Sequence, residues 1–184
     1  LLLPVLPASC RCHCGEKASN FHVLTCKRLA GAPRIFRHDA VVNALASAIT
    51  TYAGGIAQVE PTAGMANRAR PDILRTTATA RLATDVSVAT PGVLAVSRPD
   101  AFAAATAASR RKKDAWGAWA TSRGLDFAPF IVEATGAVPR ESSSWVRRCL
   151  DNGAPPSTTQ SIVAGAVRAL LHSQLALFNA VAPG

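Results

Sequence analysis

Asp72, in Arg70-Pro71-Asp72, and Asp85, in Thr84-Asp85-Val86-Ser87-Val88, are separated by twelve residues, and each sits in or beside a short β-like run. Two carboxylates on neighbouring strands offer hard oxygen ligands to a divalent metal. A metal held there can activate a water and stabilise negative charge. Either aspartate alone reads as a turn residue or a surface charge. The pair, with Pro71 fixing the chain just before Asp72, reads as a site.

A second constellation lies upstream. Cys10, Cys12, Cys14 and Cys26 fall within seventeen residues, beside His13 and His22. Crowding of this kind suggests a metal site rather than a disulfide framework, and so a reducing compartment. The best ligand set is Cys12-x-Cys14, seven residues, His22, three residues, Cys26. His22 and Cys26 are four apart, so one helical turn presents both on one face. Zinc takes four such ligands in a tetrahedron, and a closed set makes it structural rather than catalytic. The Cys-x-Cys gap is tight, and Cys10 with Cys14 is an alternative first pair.

The elements that must position these residues follow from periodicity. His38 to Tyr52 reads as a helix, with Val41, Val42, Leu45, Ile49 and Tyr52 at helical spacing and Gly54-Gly55 as its stop. Asp39 near its start suits the helix dipole. Ile56 to Glu60 is a strand candidate; a second begins at Asp72 to Leu74, and Thr76 to Thr79 turns into a third, Arg81 to Thr90. In that third strand Leu82, Thr84, Val86 and Val88 point one way, while Ala83, Asp85 and Ser87 point the other. Asp100 to Arg123 is a long helix ended by Gly124, with a stripe of Ala101, Ala105, Ala108, Trp116 and Trp119. Lys112 falls on that stripe, where its ammonium needs either a polar partner or a path to solvent. Asp126 to Val138 is a fourth, apolar strand, with Glu133 as either a site carboxylate or a cap of the Gly136 loop. Pro139 to Asn152 and Thr158 to Ala182 are further helices, and Cys149 reads as a small buried hydrophobe.

The fold class is therefore α/β (α+β), a central mixed four-stranded sheet flanked by helices. The expected organisation is a connector at 1–9, a zinc knuckle at 10–36, a core at 37–138 and a C-terminal helical extension at 139–184. Apolar residues make up 49% of the 184, enough for a real core. The net charge of +9 favours an anionic partner, nucleic acid above all. The basic residues cluster, Arg28, Arg34, Arg37 and His38 early, then Arg110, Arg111, Lys112 and Lys113, as a phosphate-contacting surface requires. Ile162 to Ala182 is apolar but holds Arg168, His172 and Gln174, and so reads as no membrane span. Leu1 in place of a methionine suggests a piece of a longer or processed protein.

The Cys12-x-Cys14…His22…Cys26 knuckle, Arg37-His38-Asp39-Ala40-Val41-Val42, Arg70-Pro71-Asp72, Asp85 and Lys112 with Trp116 together resemble one known family. It is the restriction-like endonuclease domain, of PD-(D/E)XK type, found in site-specific non-LTR retrotransposon proteins. The resemblance spans roughly Cys10 to Gly136. It implies that Asp72 and Asp85 bind Mg²⁺ or Mn²⁺, and that Lys112 orients the water or neutralises developing charge. It implies that Arg34, Arg37, His38, Arg110, Arg111 and Lys113 hold nucleic acid and that Cys12, Cys14, His22 and Cys26 hold zinc. It further implies a domain that follows a reverse transcriptase, works in the nucleus, nicks target DNA to prime reverse transcription and meets the element RNA as well. Ser87 occupies the place where the general fold often carries its lysine, so Lys112 on the helix takes that role, with Lys113 as its competitor. The rival expectation is a catalytically inactive module that keeps the zinc knuckle and the basic surface.

Overall fold

The computed structural model describes residues 9–12, 14–26, 32–61, 70–90, 102–150 and 154–181. Most of the expected connector, the turn from Gly64 to Ala69, the loop from Pro91 to Pro99 and Ala101 of the helix stripe lie outside them.

Helix α1 (Asn20–Thr25) belongs to the cysteine-rich segment. Helix α2 (Ala32–Tyr52) starts well before His38. Pro33 causes no difficulty there, because the N–H it lacks in a first turn has no intrahelical partner anyway. The earlier start corrects the reading of Asp39. It stands in the second turn of the helix rather than at its mouth, and its carboxylate meets His38 Nδ1 at 3.1 Å instead of serving the dipole.

Strands β1 (Ile56–Val59), β2 (Ile73–Thr76) and β3 (Arg81–Thr84) form an antiparallel meander, and β5 (Asp126–Phe127) adds in parallel to β3. The result is a mixed four-stranded sheet of order β1-β2-β3-β5. Strands β4 (Val86–Ala89) and β6 (Phe130–Glu133) pair in parallel as a separate ribbon. The runs expected as single strands, Arg81 to Thr90 and Asp126 to Val138, are thus each broken in two. At the break between β3 and β4 the Val86 N–H donates to the Asp72 carboxylate at 2.6 Å. Phe130 N to Asp85 O at 3.1 Å and Ala128 N to Ala83 O at 3.1 Å carry the pairing across the gap.

Helix α3 (Ala103–Thr121) lays a face of Ala105 and Ala108 on Ala89 and Ile131. Its end is set by Gly124, at φ +62°, a left-handed conformation that a side chain would strain. Trp116 and Trp119 of the expected stripe are half-buried and stack edge to face at 5.2 Å. Helix α4 (Arg140–Cys149) buries Trp145 against Phe130, ring centroids 5.4 Å apart, with Cys149 fully buried beside them. Helix α5 (Pro156–Val181) is long and apolar enough to cross a bilayer by composition. In this fold its Ile162, Ala166 and Leu170 join Val41, Leu45 and Ile49 of α2 in the main core. Its polar Gln174 is buried and donates to the Ala134 carbonyl at 2.9 Å.

Candidate metal centre and basic cavity

The cysteine-rich segment folds as a small closed turn. Arg11 and Lys17 form an antiparallel bridge, Cys12 N donates to Glu16 O at 2.9 Å, and Gly15 N donates to Cys12 O at 2.8 Å. Gly15 takes φ +92°, which explains glycine at the tip. Ser19 caps α1 by accepting the His22 N–H at 3.0 Å, and Cys26 N closes the helix on His22 O at 2.7 Å. These bonds bring four donors together. Cys12 Sγ and Cys26 Sγ lie 3.6 Å apart, and Cys14 Sγ and His22 Nε2 lie 3.2 Å apart. All four donor atoms fall within 4.8 Å of one another. A tetrahedral zinc with ordinary bond lengths sets sulfur–sulfur edges of about 3.8 Å and sulfur–nitrogen edges of about 3.5 Å. The Cys/His cluster can therefore hold zinc. Burial, with the crowding of Cys26 and Cys14, raises the Cys12 thiol above its ordinary range, a cost that a bound cation reverses. Cys10 is buried but stands outside the four donors; its carbonyl accepts the Ala18 N–H at 2.9 Å. Phe178 of α5 packs under the cluster and ties it to the helical core.

Asp72 and Asp85 do meet. The β2–β3 register pairs Ile73 with Thr84, so one further step sets Asp72 opposite Asp85, close enough for each carboxyl group to shift the titration of the other. Asp85 is only 5% exposed, although strand alternation expected it merely off the apolar row. Lys112 reaches from α3 and its Nζ pairs with Asp85 Oδ2. It stands one turn after Ala108, and the short alanine side chains bring the helix close enough for the reach. Lys113 turns the other way, to Glu141 Oε2 at 3.2 Å, so of the two competing lysines only Lys112 touches the pair.

His38 was expected among the nucleic-acid contacts. Its Nε2 instead lies 3.0 Å from Asp72 Oδ2. That contact joins residues 34 apart in the chain, and no local signal in the sequence announces it. The hydrogen bond to Asp72 raises the His38 pKa to about 9, against the opposing effect of burial. Burial pushes Asp85 up to about 6, with the hydrogen bond to Asp72 adding and Lys112 opposing. Burial would raise Asp72 as well, but bonds from His38, Asp85 and the Val86 N–H hold it below its ordinary value. Two carboxyl groups in contact thus divide the roles, one ionised and one protonated in mild acid.

These side chains face a cavity of about 710 Å³. Arg34, Arg37 and His38 of α2 line one side, and Arg111 and Lys112 of α3 line another. Ser87 is also on its wall, but Arg110 is not among the lining residues. Glu133 is buried outside it and organises the following turn, its carbonyl accepting Gly136 N at 2.8 Å. Glu60 pairs with Arg70 at 2.6 Å, which steadies the residue two before Asp72. Another hollow, of about 600 Å³ at the β2–β3 turn, gathers no comparable pair of carboxylates.

No protein-family model matches the chain. The Retrotransposable element SLACS 132 kDa protein of Trypanosoma brucei gambiense is 32% identical to it over 190 residues. The chain is similar to a retrotransposon protein. The match takes in 96% of this chain and 16% of the SLACS protein. The relationship extends across the Cys/His cluster and the basic cavity alike, and it supports a retroelement-related role.

Proposed function

We propose that the chain is the metal-dependent DNA endonuclease segment of a retroelement protein that also carries a reverse transcriptase. In this reading it acts in the nucleus, nicking target DNA so that the freed end primes reverse transcription, with a core of restriction-endonuclease type. One observation carries the reading: Asp72, Asp85 and Lys112 meet at a cavity that Arg34, Arg37 and Arg111 also line.

Asp72 and Asp85 would hold Mg²⁺ or Mn²⁺, which when bound supplies an activated water and neutralises charge at the scissile phosphate. The chain's own groups do the rest. Lys112 sets a positive charge beside Asp85, where negative charge develops on the phosphate. His38, charged at neutral pH, fixes the orientation of Asp72. Arg34 and Arg111 bind the nucleic-acid backbone, while Arg110 and Lys113 extend the basic face of α3. The zinc knuckle is structural, since its four protein ligands leave no open position.

The rival, a nucleic-acid-binding module without cleavage, is favoured by one observation. Each carboxylate already has a cationic partner, His38 on Asp72 and Lys112 on Asp85. The deciding experiment incubates zinc-loaded protein with supercoiled plasmid and Mg²⁺ or Mn²⁺ beside Asp72→Ala and Asp85→Ala. Nicking by the wild type and loss in both variants is expected. Equal nicking by all three overturns the assignment, and binding without nicking selects the rival.

A further inference from the structure

Arg37 is 4% exposed. Its Nη2 donates to the Leu24 carbonyl at 3.1 Å. Its Nε and Nη1 are also buried and have no hydrogen-bond partner among the described residues. A guanidinium keeps its charge in a protein, so a buried one needs acceptors. The nearby carboxylates are engaged elsewhere, Asp72 with His38 and Asp85 with Lys112. Arg34 adds a second positive charge and no acceptor, and burial together with Arg34 lowers the affinity of Arg37 for its proton. Arg37, Arg34, Arg111 and Lys112 all line the same cavity. Among the described residues, two of the three guanidinium nitrogens of Arg37 are therefore open to an anion.

We infer that Arg37 is the seat of a nucleic-acid backbone phosphate inside the cavity, and that the zinc knuckle aims it. Leu24 lies in α1, between the knuckle ligands His22 and Cys26. Its carbonyl takes one N–H of Nη2, and the edge that the other Nη2 N–H shares with Nε or with Nη1 is left for the phosphate. A buried arginine held at one nitrogen has little rotamer freedom left to lose on binding. The knuckle therefore acts through Arg37, as a positioning device, rather than as a separate DNA-binding module. The inference rests on the nucleic-acid substrate of the reading above and not on cleavage.

The test measures binding of a labelled DNA duplex to the full chain, zinc-loaded and free of other divalent cations, across a salt series. Arg37→Met is expected to weaken binding about tenfold and to lower the log–log salt slope by about one. Arg37→Lys is expected to recover only part, because one ammonium cannot serve both the Leu24 carbonyl and a phosphate in the same geometry. Cys26→Ser, which strips the zinc, is expected to weaken the wild type by a similar factor and Arg37→Met no further. Thermal melts and zinc content, read on each preparation, establish that the variants are folded. Unchanged affinity and slope in folded Arg37→Met overturns the inference, leaving Arg37 as a bolt between α1 and α2. So do multiplicative losses from Arg37→Met and Cys26→Ser, which make the knuckle an independent contact. Saturation with inorganic phosphate that leaves DNA affinity untouched overturns the assignment to backbone phosphate. Plasmid nicking is scored on the same samples. Arg37-dependent binding without nicking sinks the nuclease reading and supports this one, and nicking with Arg37-independent binding does the reverse.

Discussion

Val86 donates its main-chain N–H to the Asp72 carboxylate at 2.6 Å, so one acid of the pair holds the strand that follows the other. The bond falls at the break between β3 and β4. A carboxylate proposed as a metal ligand is thereby also a structural group, and its removal has two separable effects. Asp72→Ala is expected to destabilise the fold by about 1–3 kcal/mol, the cost of leaving a buried N–H without its acceptor. Asp72→Asn keeps an acceptor and is expected to cost less, while abolishing nicking as fully as alanine does. Urea unfolding of both variants beside the wild type checks this; equal stability of all three would show that the N–H is satisfied otherwise.

The His38–Asp72 pair sets a pH window for stability. His38 has a folded-state pKa raised to about 9. A raised histidine stabilises fully below its unfolded pKa, near 6.5, and that contribution is lost as pH rises through about 9. Asp72 is lowered, so its contribution is present above its ordinary pKa and is lost as pH falls through the folded value. The stability difference between wild type and His38→Gln should therefore peak between these limits, at about 1–2 kcal/mol after screening of this partly exposed pair. Thermal melts from acid to alkaline pH, in the absence of Mg²⁺, give the profile. A difference still growing above pH 9 would mean that the pair is not an ion pair.

Lys112 is the group that opposes the upward shift of Asp85. Replacing it with methionine keeps the stem along the alanine face and removes the charge. The Asp85 carboxyl, at about 6 in the wild type, is then expected to titrate higher still. Carboxyl-carbon NMR of the metal-free cavity reads this directly. A fall in the Asp85 pKa would place the ammonium elsewhere in solution. The parallel change Lys113→Met, which breaks only the exposed contact to Glu141, should leave Asp85 unmoved.

The knuckle predicts a sharp difference between neighbouring cysteines. Cys26→Ser should abolish stoichiometric zinc, whereas Cys10→Ser should retain it, because Cys10 stands outside the four donors. Elemental analysis of protein purified without chelator decides the matter. Zinc loss from Cys10→Ser would restore the Cys10–Cys14 alternative.

Much of this fold was legible in local periodicity, because helices and strands are coded by neighbours. Helix α5, the β2–β3 turn and the glycine end of α3 follow from apolar spacing and turn residues. The Asp72–Asp85 pairing was legible for the same reason, since two strands and a short turn fix their own register. The strand breaks were not, because each lies inside a run whose β-branched and apolar residues continue past it. The early start of α2 was not legible, because Gly31 and Pro33 are turn-forming residues that interrupt the helical pattern before His38. His38 on Asp72 and the buried guanidinium of Arg37 are contacts between distant segments. Charge clustering found both residues but assigned them to a surface, and only packing distinguishes a buried arginine from a solvated one.

The alanine underside of α3 works as a spacer. Ala105 and Ala108, no more than 3% exposed, set the standoff between the helix and the ribbon of β4 and β6. Lys112 has a fixed span, so lifting the helix by the thickness of one branched side chain would take its ammonium out of contact while every charged residue remained in place. A bulkier residue at either alanine would therefore break the Lys112–Asp85 contact in a chain that kept every acid and base.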